Sequence, residues 1–295
     1  MAHIEVRQAQ PEDYEGVLNF WQDTWEWSNS IEHTWHVWLT APNGRLFVAT
    51  VDEQLAGVVY ISMVTKIDAC LEGLHVNPRF RQQGVGRALN DAALLEAMQR
   101  GAQYVRLLIS SDDLLSQEIA SHMYFRHVGA FTLFHAPPLA VDLERHRPQD
   151  KPRLATLDDL DMIIDFLNAS NIFPLVGGLY YANFKAYPIT VELLEEKIAA
   201  QQVSILYRWE RLDGLAIAEV GNLDGATRFS VGYIDGTAIE PISLLAYDLR
   251  RRLNGLGLEH LYVCAPDLVL IRDSFTGVDY EWDAKTFYVY ERGLQ

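Results

Sequence analysis

Two stretches of this sequence combine residue types at spacings that could do chemistry. The first is Arg79-Phe80-Arg81-Gln82-Gln83-Gly84-Val85-Gly86-Arg87. It follows a strand-like run and Asn77-Pro78, and it precedes Ala88, Leu89, Ala92, Leu95 and Met98, which recur at helical spacing. A helix that starts at such a loop leaves its first N–H groups without intrahelical partners, and its dipole places positive charge there, so the loop can hold phosphate oxygens. A tight turn needs one glycine; two glycines with flanking arginines suit close approach of an anion to the backbone. A dinucleotide fingerprint would need a third glycine where Leu89 stands, and a nucleoside triphosphate loop would need Gly-Lys-Ser/Thr where the chain has Gly86-Arg87-Ala88.

The second stretch holds Glu72, a lone carboxylate in the apolar run 67–76. Burial there would raise its pKa toward the range useful to a general base, acting directly or through water. The bland alternative is a surface position on an alternating strand. His75 competes for the same role, and simple alternation puts it on the opposite face of the pleat.

Other reactive patterns are weaker. Glu32, His33 and His36 lack a remote third ligand, so no metal site is expected, and no Gly-x-Ser-x-Gly elbow occurs. Cys70 and Cys264 lie in apolar runs without a Cys-x-x-Cys partner and read as buried thiols. Trp21, Trp25, Trp27, Trp35 and Trp38 read as core or interface aromatics before they read as a binding wall.

The elements that must position these residues follow from periodicity and turn signals. In the first half we expect a strand at 4–8, a helix from 11, a hairpin at 45–51 and 54–64, a strand at 69–76, a helix from 85 to Gly101 and a strand at 104–109. A second helix follows at 114–127, closed by Gly129, and then strands at 130–134 and 139–143. Residues 144–152 hold no apolar side chain apart from proline and read as a linker. The second half repeats the order. Arg153-Leu-Ala-Thr-Leu-Asp-Asp echoes the opening strand and acidic helix start, a hairpin spans 204–209 and 215–220, and strands at 228–234 and 260–265 flank a helix at 239–254. A short helix at 268–275 and strands at 280–282 and 286–291 close the chain.

The loop Arg81-Gln-Gln-Gly84-Val-Gly86, with Leu74-His-Val-Asn-Pro78 before it and Arg87-Ala-Leu after it, resembles the signature of the GNAT acetyltransferase family, Arg/Gln-x-x-Gly-x-Gly/Ala between the fourth strand and the third helix. The resemblance implies an α/β fold of the α+β kind: two tandem GNAT-like domains, 1–148 and 149–295, each a mixed, mostly antiparallel sheet flanked by helices. The second would lack the phosphate loop, since Asp235-Gly-Thr-Ala-Ile-Glu-Pro stands in its place.

The resemblance also implies acetyl-CoA as co-substrate, with no metal. The loop that opens at Arg81 would hold the pyrophosphate through the amides of Gln82, Gln83, Gly84, Val85, Gly86 and Arg87, Arg79 and Arg87 would reach the adenosine phosphates, and Leu74, His75 and Val76 would pair with the pantetheine arm. Glu72 falls where members often carry the base, and the N–H near Val76 where they stabilise the oxyanion. Members often place an acid tyrosine one helical turn before a Gly–Phe pair. Counting back from Gly129 reaches Tyr124 or Phe125, of which Tyr124 has the hydroxyl, and Gln117 or Glu118 replaces the asparagine seven residues earlier. The activity implied is acetylation of the amine of a small molecule; the alternative is a non-catalytic acyl-CoA-binding or regulatory protein.

Composition fits that picture. With 24 basic against 40 acidic residues and a net charge of −16, shared by both halves, the chain is a poor partner for nucleic acid or an anionic membrane. No apolar run has the length of a membrane span and the N-terminus has no signal-like core, so a cytoplasmic protein is expected; a homodimer is compatible with all of this.

Overall fold

The computed structural model describes residues 3–21, 31–139, 151–223 and 226–294. The expected Trp25 and Trp27, the strand at 139–143 beyond its first residue, and the linker up to Asp150 lie outside them.

In chain order the strands and helices are β1 (Ile4–Gln8), α1 (Tyr14–Trp21), α2 (Ile31–Thr40), β2 (Gly44–Val51), β3 (Gln54–Met63), β4 (Asp68–Val76), α3 (Val85–Gln99), β5 (Tyr104–Ser110), α4 (Leu114–His122) and β6 (Arg126–Ala136). There follow β7 (Arg153–Leu154), α5 (Leu160–Ala169), β8 (Leu179–Ala182), β9 (Lys185–Pro188), α6 (Val191–Ala199), β10 (Val203–Arg208), β11 (Arg211–Leu223), β12 (Ala226–Gly236), α7 (Ile239–Leu256), β13 (Leu261–Pro266), α8 (Val269–Thr276) and β14 (Glu281–Gly293). No described helix is long and apolar enough to cross a membrane.

The chain packs as two compact units. Unit 1 comprises Met1–Leu107, Gln117–Arg126 and Tyr290–Gln295; unit 2 comprises Leu108–Ser116 and His127–Val289. The fold class is the expected one, a mostly antiparallel sheet flanked by helices in each unit.

In unit 1, β1, β2, β3 and β4 pair antiparallel in sequence order, and β4 pairs with β5 in parallel. One face of this sheet packs under α1 and α2, where Val17, Phe20, Trp21 and Trp35 meet Leu46, Val48, Val58 and Tyr60. The other face takes α3, whose Val85 and Leu89 crowd Gly57, where an added Cβ would come within 2.8 Å of Leu89. The tryptophans of α1 and α2 are thus mainly core: Trp21 and Trp35 are buried, and Trp38 stacks on Tyr60 with ring centroids 4.9 Å apart.

Unit 2 repeats this order within itself. β7, β10, β11 and β12 pair antiparallel, and β12 pairs with β13 in parallel across the α7 crossover. The echo seen in the sequence has a shared local structure. In unit 1 Arg7 makes a bidentate bond to Asp13 at 2.7 and 2.8 Å, and Asp13 accepts from the Gln10 N–H at the start of the first helical turn. In unit 2 Arg153 binds Asp159 at 2.6 and 2.7 Å, and Asp159 accepts from the Thr156 N–H. A carboxylate in that position satisfies orphan N–H groups and answers the dipole, while the arginine on the preceding strand fixes the entry of the chain into the helix.

The strands expected at 280–282 and 286–291 form the single strand β14, and one helix ends elsewhere than its sequence suggests. The helix expected to run to His127 and close at Gly129 ends at His122. Tyr124, at φ +64°, is its left-handed closing residue: the Phe125 N–H donates to the Ala120 carbonyl and the Tyr124 N–H to the Ser121 carbonyl. This is the Schellman closure, and Phe125 supplies its usual buried apolar contact. Gly129 lies inside β6, where a Cβ would come within 2.9 Å of the Val176 backbone.

Candidate functional site

The site is built around the C-terminal end of β4. Pairing with β5 runs from Asp68↔Tyr104 to Cys70↔Arg106 and, among the described residues, stops there. From Glu72 to Val76 the strand therefore has β3 as its one neighbour among the described residues, and the backbone groups on its other side face no described strand. Asn77 donates its N–H to the Ala56 carbonyl, so the neighbouring Val76, opposite Gly57, turns its N–H and carbonyl away from β3. The Arg81 Nε lies 3.5 Å from that carbonyl, which confirms its direction. An extended chain could add to this edge by main-chain hydrogen bonds.

The register of β4 on β3 jumps between Glu72↔Tyr60 and His75↔Val58, so Gly73 and Leu74 together oppose Val59. This is a β-bulge, with Gly73 at φ +61°. The glycine is also required by space, because a Cβ there would lie 2.5 Å from the Trp38 ring. The bulge corrects the sequence expectation for His75. Residues directly opposite one another share a face, and Tyr60 and Val58 are two apart on β3, so Glu72 and His75 both point to the α1 and α2 side.

Both side chains are half-buried. His75 stacks on Phe20, with centroids 5.8 Å apart and planes 3° from parallel, and meets Trp21 at 5.2 Å. Burial pushes the imidazole below its usual pKa; a hydrogen bond to the Phe20 carbonyl opposes this, and the nearby Arg81 adds to it. At neutral pH the ring is uncharged and able to take a proton.

Past Val76 the chain turns through Asn77, whose side chain accepts from the Arg79 N–H at 3.0 Å, and a short 3-10 turn at Pro78–Phe80. Gln82 and Gly84 both adopt left-handed backbone, at φ +62° and +92°. Alternation of this kind around Gln83 turns successive N–H groups toward one concave side, and Gly84 is the residue before the first turn of α3. The Gly84 carbonyl accepts from Ala88, so the N–H groups of Val85, Gly86 and Arg87 precede the helical ladder. Arg81, Gln82, Gln83, Gly84 and Arg87 are exposed, Gly86 is half-buried, and Val85 is the buried residue that seats the helix. Arg87 lies 3.8 Å from Asp91, and the Arg79 carbonyl accepts from Gln83 at 3.3 Å. The predicted loop residues are thus brought together beside Leu74, His75 and Val76, and loop and open strand edge meet end to end.

Gln117 is half-buried and its carbonyl accepts from the Ser121 hydroxyl at 3.0 Å. Phe125 is buried, whereas Tyr124 is 76% exposed with its ring 5.6 Å from the Arg292 guanidinium. With Tyr124-Phe125 closing the helix, the residue one turn earlier is Ala120, buried and without a hydroxyl. Of the histidines weighed for metal, His36 is exposed and stacks on Tyr14, and His33 has no described side chain. No group of three or more His, Cys, Asp or Glu side chains is placed to hold a metal among the described residues.

Unit 2 treats the equivalent place differently. Only Thr237 and Ala238 separate β12 from α7, against residues 77–84 between β4 and α3. The Thr237 N–H is taken by the Asp213 carbonyl, and Arg208 joins Asp213 at 2.6 Å to Glu240, in the first turn of α7, at 2.9 Å. β12 also carries a bulge, at Gly232, but a Cβ there would lie 1.9 Å from the Tyr181 carbonyl oxygen, so β8 fills that position. Asp235, buried three residues on in the same strand, is pushed up in pKa by burial against the opposing bonds from Ser170 and Tyr233.

Residues 5–127 match the model of the acetyltransferase (GNAT) family. No curated protein sequence matches the chain. Among solved structures it is similar to a GCN5-related N-acetyltransferase from Sphaerobacter thermophilus, with a TM-score of 0.60, 12% identity, and coverage of 98% of this chain and 95% of that one. It is similar too to a glucosamine N-acetyltransferase region in a fungal multi-domain GH3 β-N-acetylglucosaminidase, with a TM-score of 0.62, 14% identity and coverage of 99% of this chain. This chain spans 38% of that fungal protein. At such identities the likeness is one of fold.

Proposed function

We propose that unit 1 binds acetyl-CoA and transfers its acetyl group to the amine of a small molecule. The observation that carries this is the continuity of the open edge at Leu74–Val76 with the loop Arg81–Arg87: an extended amide-bearing arm can pair along the first while a pyrophosphate sits on the N–H groups of the second. The fit is supported from the residues themselves, since Gly84 needs its positive φ and Gly86 leaves space, a Cβ there reaching only Val76 at 3.4 Å.

In this reading Glu72 and His75, on one face, receive the proton that the attacking amine gives up, Glu72 directly or through water and His75 as its neutral neighbour. The Val76 N–H, turned away from β3, stabilises the charge that develops on the carbonyl oxygen. Tyr124 takes no part. A thiolate of the usual thiol pKa, about 8.5, is a good enough leaving group near neutral pH to depart without an acid beside it. The proton then comes from solvent.

The register of α4 favours a second reading. With Ala120 one turn before the closing pair, the chain has no hydroxyl where family resemblance would put an acid, which suits a protein that binds acyl-CoA without turning it over. Acceptor-dependent release of free coenzyme A, assayed over a panel of primary amines, separates the two readings: release supports the transferase, and binding without release supports the second.

The tandem organisation belongs to the same proposal. Unit 2 has the element order, the Arg–Asp helix entry and the strand bulge of unit 1, but its helix N-terminus and bulge are filled by its own Asp213, Glu240 and Tyr181. We assign it a structural role, with one coenzyme A site per chain. The acidic surface suits a neutral or cationic acceptor in the cytoplasm.

A further inference from the structure

Residues 290–294 belong to unit 1, although at least 180 positions separate them from β5. Their contacts there are specific. Arg106 on β5 is buried, and its Nη1 lies 2.5 Å from Asp68, the first residue of β4. Its Nε and Nη2 lie 2.7 and 2.6 Å from the Glu291 carboxylate. Arg106 is also the β5 partner of Cys70, the last position at which β4 and β5 pair. The next residue, Arg292, donates from Nη1 to the Met123 carbonyl at 2.8 Å, at the closing turn of α4, and its guanidinium lies over the Tyr124 ring. The Leu294 N–H donates to the Gln103 carbonyl at 2.8 Å.

We infer that Glu291 and Arg292 are positioning residues of the coenzyme A half, Glu291 fixing through Arg106 the point at which β4 leaves β5, and Arg292 holding the end of α4. The physical reason lies in the burial of Arg106. A buried guanidinium must have its donors satisfied, and the planar fork accepts carboxylates only in fixed directions, so Asp68 and Glu291 together set the angle between the two strands. Without Glu291, the Nε and Nη2 donors are left unmet beside the pairing's last rung. The open edge at Glu72–Val76 starts two residues beyond that rung, and its geometry follows from the angle there. A working coenzyme A module therefore needs the last strand as well as residues 1–148.

The consequence for the ligand rests on the proposed function; the consequence for local structure does not. Full-length Glu291→Gln, Arg292→Ala and Arg292→Lys proteins, checked for folding by circular dichroism, are compared by amide hydrogen exchange and by calorimetric titration with coenzyme A. We expect exchange to quicken about tenfold over residues 104–107 in Glu291→Gln and over 119–125 in Arg292→Ala, with 203–220 in unit 2 unchanged, since loss of a local anchor opens its own segment first. Coenzyme A should bind about tenfold more weakly to both, because a looser site must be ordered on binding, and Arg292→Lys should restore part of the loss. Unchanged exchange in those segments, or an equal rise across unit 2, would overturn the inference. Local loosening with undiminished coenzyme A affinity would overturn the positioning role. If the parent protein binds no coenzyme A while exchange changes as described, the proposed function fails and the structural inference stands. Should Glu291→Gln fail to fold, the Arg292 pair decides.

Discussion

Glu72 and His75 stand on the same face of β4 although three residues separate them, because the bulge at Gly73-Leu74 resets the pleat between their partners Tyr60 and Val58. Two proton acceptors are thereby placed beside a strand edge whose backbone is open, and both look toward α1 and α2.

Removing the carboxylate should be the more damaging of the two changes. Glu72→Gln is expected to lower kcat by ~10²–10⁴-fold, the usual range for loss of a general base, with little change in the KM for acetyl-CoA. His75→Gln should cost about tenfold or less, as befits a neighbour. Steady-state kinetics with any accepted amine checks both.

The acid limb of the kcat/KM profile should lie below the ordinary histidine pKa. Burial lowers His75, so its neutral form is already complete near neutrality and activity falls only as the pH drops through the lowered value. The limb should lose this component in His75→Gln. A limb above about pH 7 that is unmoved by the substitution would assign the titration to another group.

Tyr124→Phe should retain kcat within about twofold and leave no change in the basic limb, because an exposed closing residue is no acid. A tenfold or larger drop would restore Tyr124 as the donor.

Acid stability should depend on Asp159. The Arg153 guanidinium, with the Thr156 N–H and hydroxyl, holds its carboxyl at about 2, and burial opposes them less strongly. The folded value lies below the unfolded one, about 4, so the stabilisation is complete above pH 4 and is lost as the pH falls toward 2. Asp159→Asn should flatten the dependence of Tm on pH over that window. Asp13, lowered by Arg7 and Gln10 against the burial that pushes it up, should behave alike in unit 1.

The loop Arg81–Arg87 and the helix start that follows it were legible in the sequence because they are written in residue types: two glycines, flanking arginines and a helical period that starts at Val85. The hairpins β2–β3 and β10–β11 and the acidic helix starts were legible for the same local reason, whereas β8 and β9 were not expected. What the sequence hid depended on register or on distance. Alternation carries no mark of the bulge until Glu72 and His75 are paired with β3. A tyrosine in left-handed backbone is uncommon, so Gly129 looked the better helix end than Tyr124. The partnership of Arg106 with Glu291 joins residues 185 apart, and no local pattern announces it.

The central claim is that one loop, Arg81–Arg87, serves the whole chain as its coenzyme A site. Calorimetric titration of the full-length protein and of Gly84→Asp with coenzyme A tests it most directly, since aspartate brings a Cβ into left-handed backbone and a negative charge to the anion cradle. The account predicts one site per chain in the parent protein and none in a Gly84→Asp protein that retains its circular dichroism spectrum. No binding to the parent, two sites per chain, or undiminished binding to the variant would contradict it.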